Sequence, residues 1–192
     1  MRTQSALAAI LLVAAAVACS DSNDPSSGFV VSGTIQNNTG APLPANTRLL
    51  IAWGVSSGSP DYSYVFGEGT IDAAAGTFRI QLDQPPPALA LNTGQLGVGI
   101  VFATTNQTIS TGMDVADFPI AEVIGAAGRY GVIYIGDPST EVPNWAASFE
   151  SGYNVGVGVD VVDDFDRFAP TAPSGVVLII DDLENIDFVN WT

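Results

Sequence analysis

From Phe29 to the C-terminus the apolar residues fall into short runs rich in Val, Ile, Tyr and Phe. Clusters of Gly, Pro, Asn, Asp and Ser cut each run off. That punctuation is the signature of an all-β sandwich or barrel. Strands are predicted over 29–36, 47–55, 62–71, 77–82, 96–103, 130–135, 155–162 and 176–180. The expected fold is a single β-sandwich of about eight strands with short helical turns in its loops. In Val155-Gly-Val-Gly-Val-Asp-Val the alternation places the valines on one buried face. The interleaved glycines imply that something large, an aromatic or a loop, crowds the other face. The isolated pair Gly97 and Gly99 inside another strand is likewise a packing feature.

Three breaks interrupt the pattern. The run Gln84-Pro-Pro-Pro-Ala88 cannot continue a central strand and is predicted to be a rigid, extended crossover. Residues 115–124 are predicted to hold a short helix, with Pro119 near its first turn. The stretch 138–153 is expected to be a long loop with one helical turn around Trp145-Ala-Ala-Ser-Phe149. Loops of that length in a compact domain are often functional. A division into two domains at the triple proline is the alternative to a single unit.

The first residues are a targeting segment. Met1-Arg2 supplies a positive start, and 6–17 is an almost unbroken run of Ala, Leu, Ile and Val. Its length suits the apolar region of a signal peptide and is too short for a permanent bilayer span. It ends in Ala16-Val17-Ala18-Cys19, which resembles the lipobox of bacterial lipoproteins, although Ala16 stands where that family usually has Leu. The resemblance implies cleavage before Cys19, lipid attachment at Cys19, and a mature chain anchored to a membrane. An ordinary secretory signal, cleaved after Ala16 or Ala18, would instead leave a free thiol. The chain has a single cysteine, and the polar stretch 20–28 that follows it suits a flexible tether. The division expected is a signal peptide over 1–18, a lipidated tether over 19–28 and a β-domain over 29–192. Ser20 after the cysteine implies, by the sorting tendency of that family, the outer membrane. With no second cysteine the exported domain has no disulfide of its own, so its stability must come from the core.

Charge excludes several partners. Beyond Cys19, 20 carboxylates face four arginines, a net charge of −16, and the chain has neither lysine nor histidine. Phosphate backbones would meet a strongly negative surface, which excludes nucleic acid as a partner. Anionic lipid is disfavoured in the same way, so a lipid anchor is a sensible means of holding the domain at a membrane. Without histidine there is no Ser-His-Asp triad, and without lysine no Ser-Lys dyad or Schiff base. Zinc, copper and haem lose their usual imidazole and thiolate ligands.

Carboxylates remain. A pair of them can hydrolyse a glycoside, one as acid and one as base or nucleophile. Glu68, within Phe66-Gly-Glu-Gly-Thr70, and Glu150, near Trp145, are the candidates, with a solvated surface acid as the plainer reading of each. The densest cluster is Asp160, Asp163, Asp164 and Asp166, four acids within seven residues. Such a run can converge on calcium, which takes six to eight oxygen ligands, although it does not have the EF-hand spacing. A solvated acidic edge is the alternative. Among the aromatics, Trp53 follows Leu-Leu-Ile-Ala and belongs in the core. Trp145 follows Val-Pro-Asn in a loop and is the candidate platform for a sugar or peptide, or else a plug at the end of the fold. Asn37, Asn106 and Asn190 each open an Asn-x-Thr triplet.

One further likeness bears on fold. Val-Ser-Gly-Thr-Ile35, Asn38-Thr-Gly-Ala-Pro-Leu-Pro44 and Gly69-Thr-Ile-Asp-Ala-Ala-Ala-Gly-Thr-Phe-Arg-Ile80 resemble the small β-sandwich modules of carboxypeptidase-regulatory or transthyretin-like kind. The physical basis is a strand, a Pro/Gly hairpin, and a turn at Gly76 leading into an amphipathic strand. The resemblance covers about a third of the chain and implies an accessory or binding role. Taken together, the expected protein is a non-catalytic envelope lipoprotein with a structural or interaction domain. Alternatives are a carbohydrate- or peptide-binding lipoprotein and a carboxylate-dependent glycoside hydrolase. A glycan or envelope protein is the expected partner class.

Overall fold

The computed structural model describes residues 28–54, 63–91, 96–112, 120–136, 142–159 and 168–189. They form an all-β chain of ten strands: β1 (Phe29–Asn37), β2 (Arg48–Gly54), β3 (Ser63–Asp72), β4 (Thr77–Leu82), β5 (Leu96–Thr104), β6 (Val123–Ala126), β7 (Tyr130–Ile135), β8 (Gly152–Gly158), β9 (Phe168–Thr171) and β10 (Val176–Ile180). All ten belong to one hydrogen-bonded sheet, in the order β2-β3-β4-β1-β10-β6-β5-β7-β8-β9. A further pairing of β2 with β5 closes the first seven into a barrel. The all-β expectation holds, but one sheet closed on itself replaces the two facing sheets that a sandwich would have. Strands from both sides of the triple proline share this sheet, since β2 pairs with β5 and β1 with β10.

β5 is the branch point. One edge runs beside β2 from Val98 to Thr104. On the other edge Phe102–Thr104 pairs with β6, while Leu96–Gly99 pairs with β7. The Ala127 amide donates to the Val101 carbonyl at 2.8 Å, where the two partners part. On the far side of the barrel, β1 mirrors this split. Its Gly33–Asn37 half pairs in parallel with β10, and above it the Ser32 amide donates to the Pro173 carbonyl at 2.8 Å. The β6–β10 pair therefore fills the wall between β5 and β1 at one end, and the β7–β9 extension lies beside it at the other. Accordingly, Val132 and Val155 of β7 and β8 are buried in the same core as Val31, Ile51, Ile80 and Leu178.

The alternation dictates which face goes in. In β4, Phe78, Ile80 and Leu82 are buried and Thr77, Arg79 and Gln81 exposed. In β2 both faces are apolar: Leu49, Ile51 and Trp53 fill the barrel, and Leu50 packs outside it with Ile109 and Ile186 under the covering loops. Gly76, at φ 64°, makes the β3–β4 reversal that its position in the sequence implies.

Trp53 is fully buried. It lies opposite Gly99, where an added Cβ would come within 2.6 Å of Ile51 Cγ2 and 2.9 Å of Trp53 Cδ2. At Gly97 the same atom would meet Leu91 at 2.7 Å and the indole at 3.4 Å. A bulge in β3 sets the other side. Leu50 pairs with Glu68 and Ala52 with Val65, so Phe66 and Gly67 together stand opposite one residue, with Gly67 at φ 96°. The Phe66 carbonyl accepts the indole N–H at 2.9 Å. The crowding expected at the Val-Gly-Val-Gly strand is also present. A Cβ at Gly156 would sit 2.8 Å from Phe168, 2.9 Å from Ile133 and 3.0 Å from Phe149. Of the valines, Val155 is fully buried and Val157 partly so.

Seven predicted strands match with ends shifted by no more than one residue, whereas 155–162 begins three residues earlier in the structure, at Gly152. Two strands were not expected. Of the stretch 115–124 expected to hold a short helix, 115–119 lie outside the described residues, and Ile120–Glu122 form a 3-10 turn that runs straight into β6. The β-branched pair Val123-Ile124 suits a strand, and Thr104 fixes the junction by donating its hydroxyl to the Glu122 carbonyl at 2.8 Å. The other, β9, contains Pro170 and is admissible because it lies at the end of the strand order. The helical turn near Trp145 is present as a 3-10 segment, Asn144–Ser148.

Gly99→Ala should cost about 2 kcal/mol through overpacking, and Trp53→Phe about 1–3 kcal/mol by stranding the Phe66 carbonyl. Urea unfolding monitored by circular dichroism should show both as lower midpoints at unchanged slope. Wild-type midpoints in both variants would mean that the indole is not held by these contacts.

Candidate functional site

Two of the sequence-derived sites fall outside the described residues: the lipidation residue Cys19, and the acidic run Asp160, Asp163, Asp164 and Asp166. Among the described residues no group of three or more His, Cys, Asp or Glu side chains is placed to hold a metal ion. The remaining candidates are Glu68, Glu150 and Trp145, and the structure puts each in a different setting.

Glu68 projects from β3 beside the bulge and accepts from Arg48 Nε at 2.9 Å. Arg48 is itself largely covered and donates through Nη1 to the carbonyls of Ile109, at 2.7 Å, and Asn106, at 3.4 Å. The guanidinium thus ties the 105–112 loop to the barrel wall, and Glu68 completes its set of acceptors. Glu150 is exposed after the 3-10 turn, where its backbone amide and carbonyl are bridged by the Asn154 side chain at 3.3 and 2.7 Å.

Trp145 is half-buried. Its ring meets Phe149 edge-on at 6.4 Å and lies 5.8 Å from Phe168, in a cluster with Leu96, Ile133 and Ala146. This packing covers the outer face of β7 and β8, the same face on which Gly156 leaves room for Phe168 and Phe149. The part of the indole that stays accessible is a flank of a packed cluster.

A second aromatic group went unnoticed in the sequence because its members are far apart in it. Tyr153 stacks on Phe29 at 5.5 Å, meets Tyr134 edge-on at 4.9 Å and Trp53 at 6.1 Å. Its hydroxyl donates to the Gln84 carbonyl at 2.5 Å, pinning the start of the triple-proline crossover. Burial, and then Tyr134 beside it, push the phenol above its ordinary range, so it remains a neutral donor at physiological pH. This group caps the barrel at the end where the N-terminal segment enters β1.

The opposite end carries polar loops. Asn37 and Asn106 repeat one local device: the Oδ1 atom of each accepts the backbone amide and the hydroxyl of the threonine two residues on, at 3.1 and 2.7 Å for Thr39 and 2.6 and 2.7 Å for Thr108. Two of the three Asn-x-Thr triplets are therefore turn-forming units. Next to the first, Asp181 accepts from Asn185 at 2.9 Å, from Asn38 at 3.2 Å and from the Asp182 amide at 2.8 Å. These bonds, led by that from Asn185, hold its carboxyl below the usual range. Among the described residues no buried side-chain nitrogen or oxygen lacks a partner.

A carboxyl with a folded-state pKa below its unfolded one stabilises the fold above the unfolded value, near 4, and loses that contribution as pH falls through the lowered value. Asp181→Asn should therefore be less stable than wild type at pH 7, with the difference vanishing as the pH falls through the lowered value. Thermal unfolding across that range checks this, and a difference independent of pH would remove the role given to the charge. No protein family, curated protein or solved structure matches this chain.

Proposed function

We propose that the chain is a membrane-anchored lipoprotein of the bacterial cell envelope, at the outer membrane, whose β-domain serves a structural or interaction role without catalysis. The observation that carries the reading is the placement of the only cysteine, at the end of an apolar run of signal-peptide length and ahead of a polar tether. The setting of the two candidate acids supports the non-catalytic part. Glu68 is engaged by Arg48, and Glu150 is solvent-exposed, whereas a glycosidase acid is desolvated and faces a second carboxylate across a cleft. The likeness of residues 30–91 to carboxypeptidase-regulatory and transthyretin-like modules points in the same direction, since such modules are accessory units.

A second reading draws on Trp145. Its indole retains an accessible flank beside Phe149 and Phe168 and could bind a glycan or peptide of the envelope through that edge. Calcium is compatible with either reading, at Asp160, Asp163, Asp164 and Asp166.

When the protein is expressed with its leader, the wild-type chain should float with membranes and carry a lipid-modified N-terminal cysteine by mass spectrometry. Cys19→Ser should appear in the soluble fraction. A wild-type protein with an unmodified cysteine would end the lipoprotein reading. For the metal, millimolar calcium should raise the unfolding midpoint by several degrees relative to chelator, and Asp163→Ala/Asp164→Ala should abolish the rise. No rise in the wild type would return those aspartates to a solvated edge.

A further inference from the structure

The barrel wall is not equally fastened all the way round. Among the described residues, β2 and β5 share seven register pairs, β1 and β4 six, and β1 and β10 five. β6 and β10 share two, Ile179 with Ala126 and Ile180 with Gly125. One further bond crosses this seam, from the Asp181 amide to the Ile124 carbonyl at 3.2 Å. Each of the two strands is held better on its other side. β6 has three register pairs with β5, and beside them the Thr104 hydroxyl and the Thr105 amide donate to the Glu122 carbonyl at 2.8 and 3.4 Å. Just past β6, the Ala127 amide reaches the Val101 carbonyl. β10 lies so close to β1 that a Cβ at Gly33 would sit 1.7 Å from the Val176 carbonyl oxygen, and the Asn38 amide donates to the Ile180 carbonyl at 3.0 Å. A wall built from backbone hydrogen bonds parts first where it has fewest of them.

The segment Asp181–Val189, which follows directly from β10, crosses this seam on the outside. A 3-10 turn at Leu183–Asn185 carries it against β6. Ile186 is buried with Phe102 and Ala126, and Leu183 packs on the same cluster. Further on, the segment is fastened to the β6–β7 turn. The Val189 amide donates to the Gly128 carbonyl at 3.0 Å, and Asp187 pairs with Arg129 at 3.2 Å. Val189 is itself buried in the second outer cluster, with Phe149 and Phe168. The close approach needs Gly128, since a Cβ there would come within 2.5 Å of the Asp187 carbonyl oxygen and 3.0 Å of Ile186 Cγ2. The segment is thus joined to β10 by the chain and to β6 and β7 by packing. We infer that Asp181–Val189 is a releasable clasp: docked, it keeps β6 and β10 together, and when it lifts the barrel wall opens between them while β1–β5 stay folded. Release has this effect because two register pairs are then left at the seam, with β6 remaining on β5 and β10 on β1. The apolar contacts given up are those of Leu183, Ile186 and Val189, few beside the barrel filling around Trp53. The opening therefore costs less than unfolding the barrel.

The test is native-state hydrogen exchange of the full chain, resolved amide by amide by NMR. The Asp181 amide reports the seam and the Val189 amide the clasp, while the amides of β2 and β5 report the whole barrel. Gly99→Ala, or Trp53→Phe should that variant fold poorly, weakens packing that the opened form still contains. Either should speed exchange in β2 and β5 by about tenfold or more and leave Asp181 and Val189 at their wild-type rates. Ile186→Ala and Gly128→Ala weaken the docked clasp from its two sides, and each should speed Asp181 and Val189 by about tenfold or more. Equal acceleration of Asp181 by Gly99→Ala would mean that the seam opens only with the whole barrel, and overturns the inference. Acceleration of Val189 without Asp181 in the clasp variants overturns it too, because the segment would then fray without parting the strands.

Discussion

Trp53 can occupy the barrel only because three features of the neighbouring strands make room for it. Gly97 and Gly99 on β5 remove the side chains that would strike the ring, and the β3 bulge turns the Phe66 carbonyl toward the indole N–H. The ring then fills the barrel just where β5 changes partners. Above this point β5 must pair with β7, and below it with β6. A strand that serves two partners on one edge needs a rigid filling behind the fork, and a buried indole of this size supplies it with one polar atom to satisfy. The same economy recurs on the outer face, where Gly156 of β8 admits Phe168 and Phe149 and thereby lets Trp145 close the second cluster.

The strand content was legible because the period-2 pattern and the turn residues coincide along most of the chain. The strands at 77–82, 130–135 and 176–180 have the ends that their β-branched and aromatic residues imply. The glycines of β5 and β8 were legible as packing features, and Trp53 as core, because apolar neighbours surround them in the sequence. Closure was not legible. Nothing in β2 or β5 alone says that they are partners, since both are apolar on both faces and would suit any central position. β6 was obscured by its four-residue length, and β9 by Pro170, which argues against a central strand and does not announce an edge. The Tyr153 group escaped for a related reason: its rings come from β1, β2, β7 and β8, and only the fork brings those strands to one end.

Charge and closure address the same physical problem from two sides. An all-β domain without disulfides must keep its strand edges from pairing with those of its neighbours. Closing seven strands into a ring removes most edges outright. The strand left at the end of the order, β9, is four residues long and lacks one amide donor at Pro170, so it offers little to an incoming strand. The net charge of −15 adds a repulsion between copies that grows as salt is lowered. The scarcity of cations does not leave the described arginines idle on the surface. Arg48 ties a loop to the wall, Arg79 reaches the Gln81 side chain, and Arg129 bridges Asp187 at 3.2 Å and the Gly158 carbonyl at 2.8 Å. Arg48 and Arg129 thus hold segments of the barrel together, while Arg79 stays on the exposed face of β4.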